Sequence, residues 1–164
     1  MAFQKLTPEE LRKHKGTSFT GITTVFFCHD GQGRLLLQKR SQKTRDEQGR
    51  WDPGGGGLKH GESVEDSLKR ELEEEYGVAP LQLDFIGYFD AFRKNQDNHD
   101  THWLAMCFAV LIDPAQVTVN EPDMIDDIGW FTLDKLPSPM HSQLDYFMSL
   151  HGPKLREYMS LPPA

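Results

Sequence analysis

Glu71, Glu74 and Glu75 are the residues of this chain best placed to do chemistry. On a helix each residue advances by about 100°, which puts Glu74 at about −60° and Glu75 at about +40° from Glu71. All three therefore share one face, and like charges three and four residues apart repel. The face abuts an apolar stripe of Val64, Leu68, Leu72 and Tyr76, which takes the carboxylates partly out of water. Both effects destabilise the helix unless a cation binds there. A hard divalent ion such as Mg²⁺, with Mn²⁺ as a substitute, takes carboxylate oxygens and fills its shell with water and substrate phosphates. The competing reading is a solvated acidic face.

The surroundings bear on that choice. Ser63 is placed to cap the helix, with Asp66 three residues on, and Gly77 suits its end. Lys69, Glu73 and Asp66 fall on the far side, while small Ser67 leaves room among the carboxylates. Just upstream, Gly54 to Gly57 allow positive φ and a close backbone approach to a ligand. Their amides are candidates to hold phosphate oxygens.

The stretch Gly56 to Val78 resembles the Nudix box: Gly, five residues, Glu, seven residues, then Arg-Glu-aliphatic-any-Glu-Glu-any-Gly-aliphatic. Gly56, Glu62, Arg70, Glu71, Leu72, Glu74, Glu75, Gly77 and Val78 fill every constrained position of these 23 residues of 164. One departure lies upstream: Pro53 stands three places before Gly56, where many relatives have proline two places before. The resemblance implies a pairing of Glu62 with Arg70 that fixes loop against helix, and structural roles for Gly56 and Gly77. It implies a metal set of Glu71, Glu74 and Glu75 with Gly55. It also implies an acidic residue ahead of the last strand as metal ligand or base, for which Glu121 stands first, followed by Asp123, Asp126 and Asp127.

These groups must be positioned by the rest of the chain. Thr7-Pro8-Glu9-Glu10 starts a short helix to about Lys15, expected to cover a sheet edge or support a homodimer. Phe19–Cys28 and Arg34–Arg40 read as strands joined by the turn Asp30-Gly31-Gln32-Gly33. The loop 41–50 follows. Its bases, with those just before it, are Lys39, Arg40, Lys43, Arg45 and Arg50. They are either phosphate contacts or solvated charges. Trp51 either stacks on a base or packs beneath the glycines. Leu81–Phe92 and Thr101–Ile112 read as a strand pair around a polar turn. Phe89, Phe92 and Trp103 are candidates to sandwich a base or to pack in the core. Val117–Val119 reads as a short strand and Ile125–Phe131 as the last one. Leu133-Asp134-Lys135-Leu136-Pro137 resembles the family's usual sequel. Ser142–Tyr158 has helical spacing, and Gly152-Pro153 is expected to split it in two. The order fits an α/β fold, the α/β/α Nudix sandwich with a mixed central sheet. It forms one domain over 1–164, with a helical extension at 1–17 and a C-terminal helix at 141–160.

Composition bounds the function. A formal charge of −7 argues against a nucleic-acid polymer or a membrane surface as partner. Cys28 and Cys107 sit in apolar runs and read as reduced core thiols. No apolar run approaches membrane-spanning length, and the first residues lack a signal-peptide core, so the cytoplasm is the expected address. The seven histidines show no metal-ligand spacing; His102 and His141 are the two placed to reach a pocket.

The expected activity is metal-dependent hydrolysis of a phosphoanhydride in a small nucleotide, a nucleoside diphosphate linked to another group, with Glu71 or Glu121 as base. Arg40, Arg50, Trp51, Phe89 and Trp103 are the expected substrate contacts. Four alternatives stay open: an ADP-ribose-type nucleotide-sugar pyrophosphatase, a hydrolase of capped or dinucleoside polyphosphates, a nucleotide sensor without turnover, and an isopentenyl diphosphate isomerase relative. Intact Glu71, Glu74 and Glu75 speak against the sensor. No cysteine and histidine-rich metal site can be placed for the isomerase.

Overall fold

The computed structural model describes residues 6–95 and 97–160. Residues 1–5 of the expected extension, Gln96 in the expected turn, and residues 161–164 lie outside them. Helix α1 (Pro8–His14) begins at Thr7, whose Oγ1 accepts the Glu10 N–H at 3.2 Å while the Glu10 carboxylate accepts the Thr7 N–H at 2.7 Å. Strands β1 (Gly21–His29) and β2 (Arg34–Arg40) follow. Two short strands then come where only a loop was expected: β3 (Trp51–Asp52) and β4 (Gly55–Gly57). Next are α2 (Val64–Tyr76), β5 (Gln82–Lys94), β6 (Asp100–Leu111), a 3₁₀ turn at Pro114–Gln116, β7 (Ile125–Thr132) and α3 (Leu144–Ser160).

The mixed sheet has seven strands. β1 lies parallel to β6 through nine registered pairs, from Gly21↔Trp103 to His29↔Leu111. β1 and β2 share one registered pair, His29↔Leu35, and then diverge. The gap is filled by β4, antiparallel to β1 at Thr23–Val25, and by β3, antiparallel to β2 at Gln38–Lys39. This divergence opens the sheet where the glycines lie.

Alternation along β1 sorts the core into two layers. Phe26 and Cys28 pack with Leu68, Leu72 and Tyr76 of α2, and Phe27 with Phe147, Leu155 and Met159 of α3. Leu68, Leu72 and Tyr76 are fully buried, the two leucines each contributing about 1.5–3 kcal/mol. With a helix layer on each face of the sheet, the α/β/α arrangement expected from the element order is the one observed. Both cysteines are free and buried.

Two expectations are corrected. Val117–Val119 is not a strand. It serves the end of α2 instead: Thr118 N–H reaches the Tyr76 carbonyl at 2.9 Å and Asn120 N–H the Glu75 carbonyl at 3.1 Å, satisfying carbonyls that a helix end leaves open. Nor does Pro153 split the last helix, which runs unbroken through it. Pro153 faces solvent, so the carbonyl it leaves unpaired can meet water. Leu144 and Phe147 before it, and Leu155 and Met159 after it, are anchored in one core. Lys154 Nζ donates to the Phe85 and Ile86 carbonyls at 3.0 and 2.9 Å, at a bulge in β5.

Candidate active site

Helix α2 is set at both ends. Ser63 Oγ accepts the Asp66 N–H at 3.1 Å, and Gly77 closes the helix at φ 63°, a left-handed conformation that favours glycine. The three glutamates on this helix have different surroundings: Glu71 is half-buried, Glu74 exposed and Glu75 buried. Arg70 lies among them. Its Nε and Nη2 donate to the two Glu62 oxygens at 2.7 and 3.0 Å. Its Nη1 donates to Glu71 Oε1 at 2.6 Å and Glu74 Oε2 at 2.9 Å. Glu62 also accepts the Lys59 N–H at 3.0 Å, so the loop entering α2 is tied to the middle of the helix.

The glycine strand lies directly against these carboxylates. A Cβ on Gly56 would fall 1.9 Å from the Glu71 carboxyl carbon. Gly54, at φ 102°, leaves no room either: a Cβ there would meet Glu75 Oε2 at 2.8 Å. The Gly55 N–H donates to Glu75 Oε1 at 3.4 Å. Glu75 Oε2 is buried with no hydrogen-bond partner.

Burial pushes the Glu75 carboxyl well above the usual range, and Asp52, Glu71 and Glu121 push it further. Glu71 is also raised, by burial and by Glu74, against the pull of Arg70. For Asp52, burial acts upward, but His141 and Arg40 outweigh it and the carboxyl is lowered. An ionised carboxylate, Asp52, whose charge is matched by Arg40, thus acts on a crowded and unsatisfied one, Glu75. Among the described residues no three acid, imidazole or thiol groups converge into a ready-made metal cage. The donors do fit a hard cation that keeps water and phosphate in its shell. They are all carboxylate oxygens, and one, on Glu75, is buried without a partner. Glu71, Glu74 and Glu75 would hold such an ion, with Gly55 beside Glu75.

A cavity of about 1410 Å³ opens at the divergence of β1 and β2. Glu71, Glu75, Glu121 and Gly54–Gly57 line it, as do Arg40, Phe89 and Trp103. Glu121 arrives through the clamp on α2, since the preceding Asn120 is bonded to the Glu75 carbonyl. Its carboxylate has no hydrogen bond among the described residues. Asp123 pairs instead with Lys43, and Asp126 and Asp127 are exposed.

The other expected contacts are placed as follows. Arg40 is committed within the protein, donating to Asp46 Oδ1 and Asp52 Oδ2, both at 3.0 Å. Arg50 donates to the Met140 carbonyl at 2.8 Å and pairs with Glu47. Trp51 packs edge-on to Phe131, 5.1 Å between centroids. Neither Arg50 nor Trp51 is among the cavity-lining residues. Phe89 is buried against Tyr146 and Phe147. Trp103 is buried beneath Gly16 and Gly21, where a Cβ would come within 2.4 and 2.5 Å of its ring. Phe92 is exposed and stacked on His102. His102 bonds Asp90, whereas His141 lines the cavity beside Arg93. Asp46, Asp52 and Arg93 had no signal in the sequence, because the network that joins them spans three separate segments.

Comparison with known proteins shows the family and the fold. Residues 20–150 match the family model of the NUDIX domain. The chain belongs to the Nudix hydrolase family. It is 28% identical over 114 residues to a Nudix hydrolase of Yersinia pestis, covering 69% of this chain and 59% of that one. It is 43% identical over 58 residues to an RNA pyrophosphohydrolase of Saccharophagus degradans, covering 35% and 32%. It is 35% identical over 88 residues to an NAD-capped RNA hydrolase of Pseudomonas aeruginosa, covering 54% and 28%. The matched stretches thus span about three-fifths or less of these relatives. Among solved structures, the MutT Nudix hydrolase of Burkholderia pseudomallei superposes with a TM-score of 0.69 at 29% identity, covering 80% of this chain and 97% of that one. A MutT protein from Methanosarcina mazei shares the fold at a TM-score of 0.69 and 21% identity, covering 82% and 94%. No described helix is long and apolar enough to cross a membrane.

Proposed function

We propose that this protein hydrolyses a phosphoanhydride bond in a nucleoside diphosphate linked to another group, with Mg²⁺ or Mn²⁺ held by Glu71, Glu74 and Glu75. The observation that carries this reading is the unpartnered, buried Glu75 Oε2 beside the glycine strand. A buried anion without a partner is costly to keep, and a site that binds a cation and a diphosphate supplies the partner. The bound cation neutralises phosphate oxygens and acidifies a coordinated water.

The chain's own groups do the rest. The Gly54–Gly57 backbone lies close enough to the carboxylates for a diphosphate to contact both. Glu121 accepts the proton of the attacking water as its oxygen bonds to phosphorus and the bridging P–O bond breaks. Glu121 is preferred over Glu71 as base because Glu71 Oε1 is held by Arg70 at 2.6 Å, while the Glu121 carboxylate is unengaged and borders the cavity.

The substrate reading is a nucleoside triphosphate or related small nucleotide. The negative net charge disfavours a polymer. The RNA pyrophosphohydrolase and the NAD-capped RNA hydrolase among the relatives add RNA ends as a second class to screen. The test is a chromatographic screen for nucleotide, sugar-phosphate, phosphate and pyrophosphate products over nucleoside triphosphates, nucleotide sugars, dinucleotides and 5′-triphosphate or NAD-capped RNA ends, with Mg²⁺ and with Mn²⁺. Metal-dependent cleavage of any of them supports the reading, and cleavage of none under either metal contradicts it.

A further inference from the structure

Helix α1 precedes the segment matched by the family, which begins at residue 20, yet it borders the cavity through Pro8, Leu11, Arg12 and Lys15. Its end is docked firmly. The Gly16 carbonyl accepts the His102 N–H at 2.8 Å, and Gly16 abuts the Trp103 ring, which a Cβ would meet at 2.4 Å. This docking carries Lys15 to strand β4, where Nζ donates to the Leu58 carbonyl. Arg45, in the loop 41–50, also lies over the Trp103 ring, its guanidinium carbon 5.1 Å from the centroid; Lys15 Nζ is 5.9 Å from a Trp103 centroid.

The two cations lack carboxylate partners. Among the described residues neither Lys15 nor Arg45 forms an ion pair, although the chain carries seven more acidic than basic side chains. Glu62, the acid that acts on Lys15, is taken by Arg70 through two hydrogen bonds. Burial and the proximity of Arg45 hold the Lys15 ammonium below its ordinary pKa. Two like charges held near one ring, without counter-ions, repel each other, and an anion bound near both relieves that repulsion.

Their place relative to the carboxylates identifies the anion. Successive residues of a strand point to opposite faces. At Gly56 the absent Cβ would fall on Glu71. At Gly57 it would fall 3.4 Å from Lys15 Nζ and 3.9 Å from the Trp103 ring. Strand β4 is therefore a thin glycine ribbon with acids on one side and unpaired cations on the other, and both sides border one cavity.

We propose that Lys15 and Arg45 form an anion subsite for a further phosphate group of the substrate, beyond the diphosphate held at the carboxylates. Resting on the hydrolase reading, this selects within it. A nucleoside triphosphate carries the extra charge, while a nucleotide sugar places a neutral group there.

The site is tested without turnover by titrating inorganic tripolyphosphate into the wild-type chain and into a Lys15→Met, Arg45→Gln double variant. The titration is calorimetric, at low salt, with EDTA present. Tripolyphosphate should bind the wild type at least tenfold more tightly than the variant, and equal affinity would overturn the proposal. Arg45→Gln alone alters an exposed side chain, so it serves as a second variant should the double one fail to fold. It is expected to weaken binding at least threefold, and unchanged affinity counts against the subsite. With Mg²⁺, the ratio of kcat/KM for a nucleoside triphosphate to that for ADP-ribose should fall at least tenfold in the double variant, chiefly through KM; an unchanged ratio also overturns it. If the wild type cleaves no anhydride at all, the hydrolase reading fails while the tripolyphosphate titration still decides the subsite.

Discussion

The carboxyl carbon of Glu71 stands 1.9 Å from the point where a Cβ on Gly56 would be. Glycine at this position is thus a requirement of the neighbouring helix rather than of the local backbone, since Gly56 has no positive φ. A methyl group there has to push Glu71 aside by more than an ångström, and misplacement of that size costs about a hundredfold in rate. Gly56→Ala is expected to lose at least about a hundredfold in kcat/KM, at a stability cost of about 1–3 kcal/mol. Steady-state kinetics and a denaturant melt on the same sample check both numbers. Activity within a few-fold of wild type would mean that Glu71 does not need its observed position.

Arg70 holds Glu62 with two N–H groups. These hydrogen bonds lower the Glu62 carboxyl from 4.5 to about 2, against a smaller upward effect of burial. A carboxyl lowered in the folded state stabilises the fold above its unfolded pKa, and the effect is lost as pH falls through the folded value. The stability difference between wild type and Glu62→Gln should therefore be full above pH 4.5 and shrink steadily toward pH 2. Thermal melts across that range test it. A difference independent of pH would show that the pair acts by packing alone.

Glu75 has the opposite sign. Its carboxyl is raised in the fold, by burial and by Asp52, Glu71 and Glu121, so the folded state binds a proton more readily than the unfolded one. Stability then falls as pH rises from the unfolded pKa through the raised folded one. Glu75→Gln removes that penalty while keeping an oxygen for the Gly55 N–H. Without metal at pH 8 it should melt higher than wild type, by roughly 2–4 °C per kcal/mol relieved. Added Mg²⁺ should raise the wild-type melting temperature, more at pH 8 than at pH 5, because protons compete for the carboxylate. It should raise that of Glu75→Gln less. A variant less stable than wild type at pH 8 would contradict the picture of a strained, unpaired acid.

The sequence was most legible where pattern is local. The four-residue recurrence of Val64, Leu68, Leu72 and Tyr76 and the signals at Ser63 and Gly77 define α2 to within a residue, because helix periodicity and caps are properties of nearby residues. Strand β4 was not legible. Three glycines carry no side-chain pattern, and their strand state comes from pairing with Thr23–Val25, distant in sequence. Val117–Val119 carries β-branched residues, but its backbone groups are spent on the end of α2, which only the tertiary fold reveals. Pro153 reads as a break from its own chemistry, and core anchors on both sides of it override that signal. The placements of Arg40 against Asp46 and Asp52, and of Lys15 against β4, are likewise tertiary facts.

The central claim is that a cation drawn to the Glu71–Glu74–Glu75 face brings a diphosphate to be cleaved there. The most direct test is product release from a nucleoside triphosphate, comparing wild type with Glu75→Gln and Glu74→Gln at saturating Mg²⁺ and with EDTA. The account predicts metal-dependent cleavage by the wild type, none with EDTA, and at least about a hundredfold loss in each folded variant. Near-wild-type turnover by Glu75→Gln, or wild-type cleavage that persists in EDTA, would contradict it.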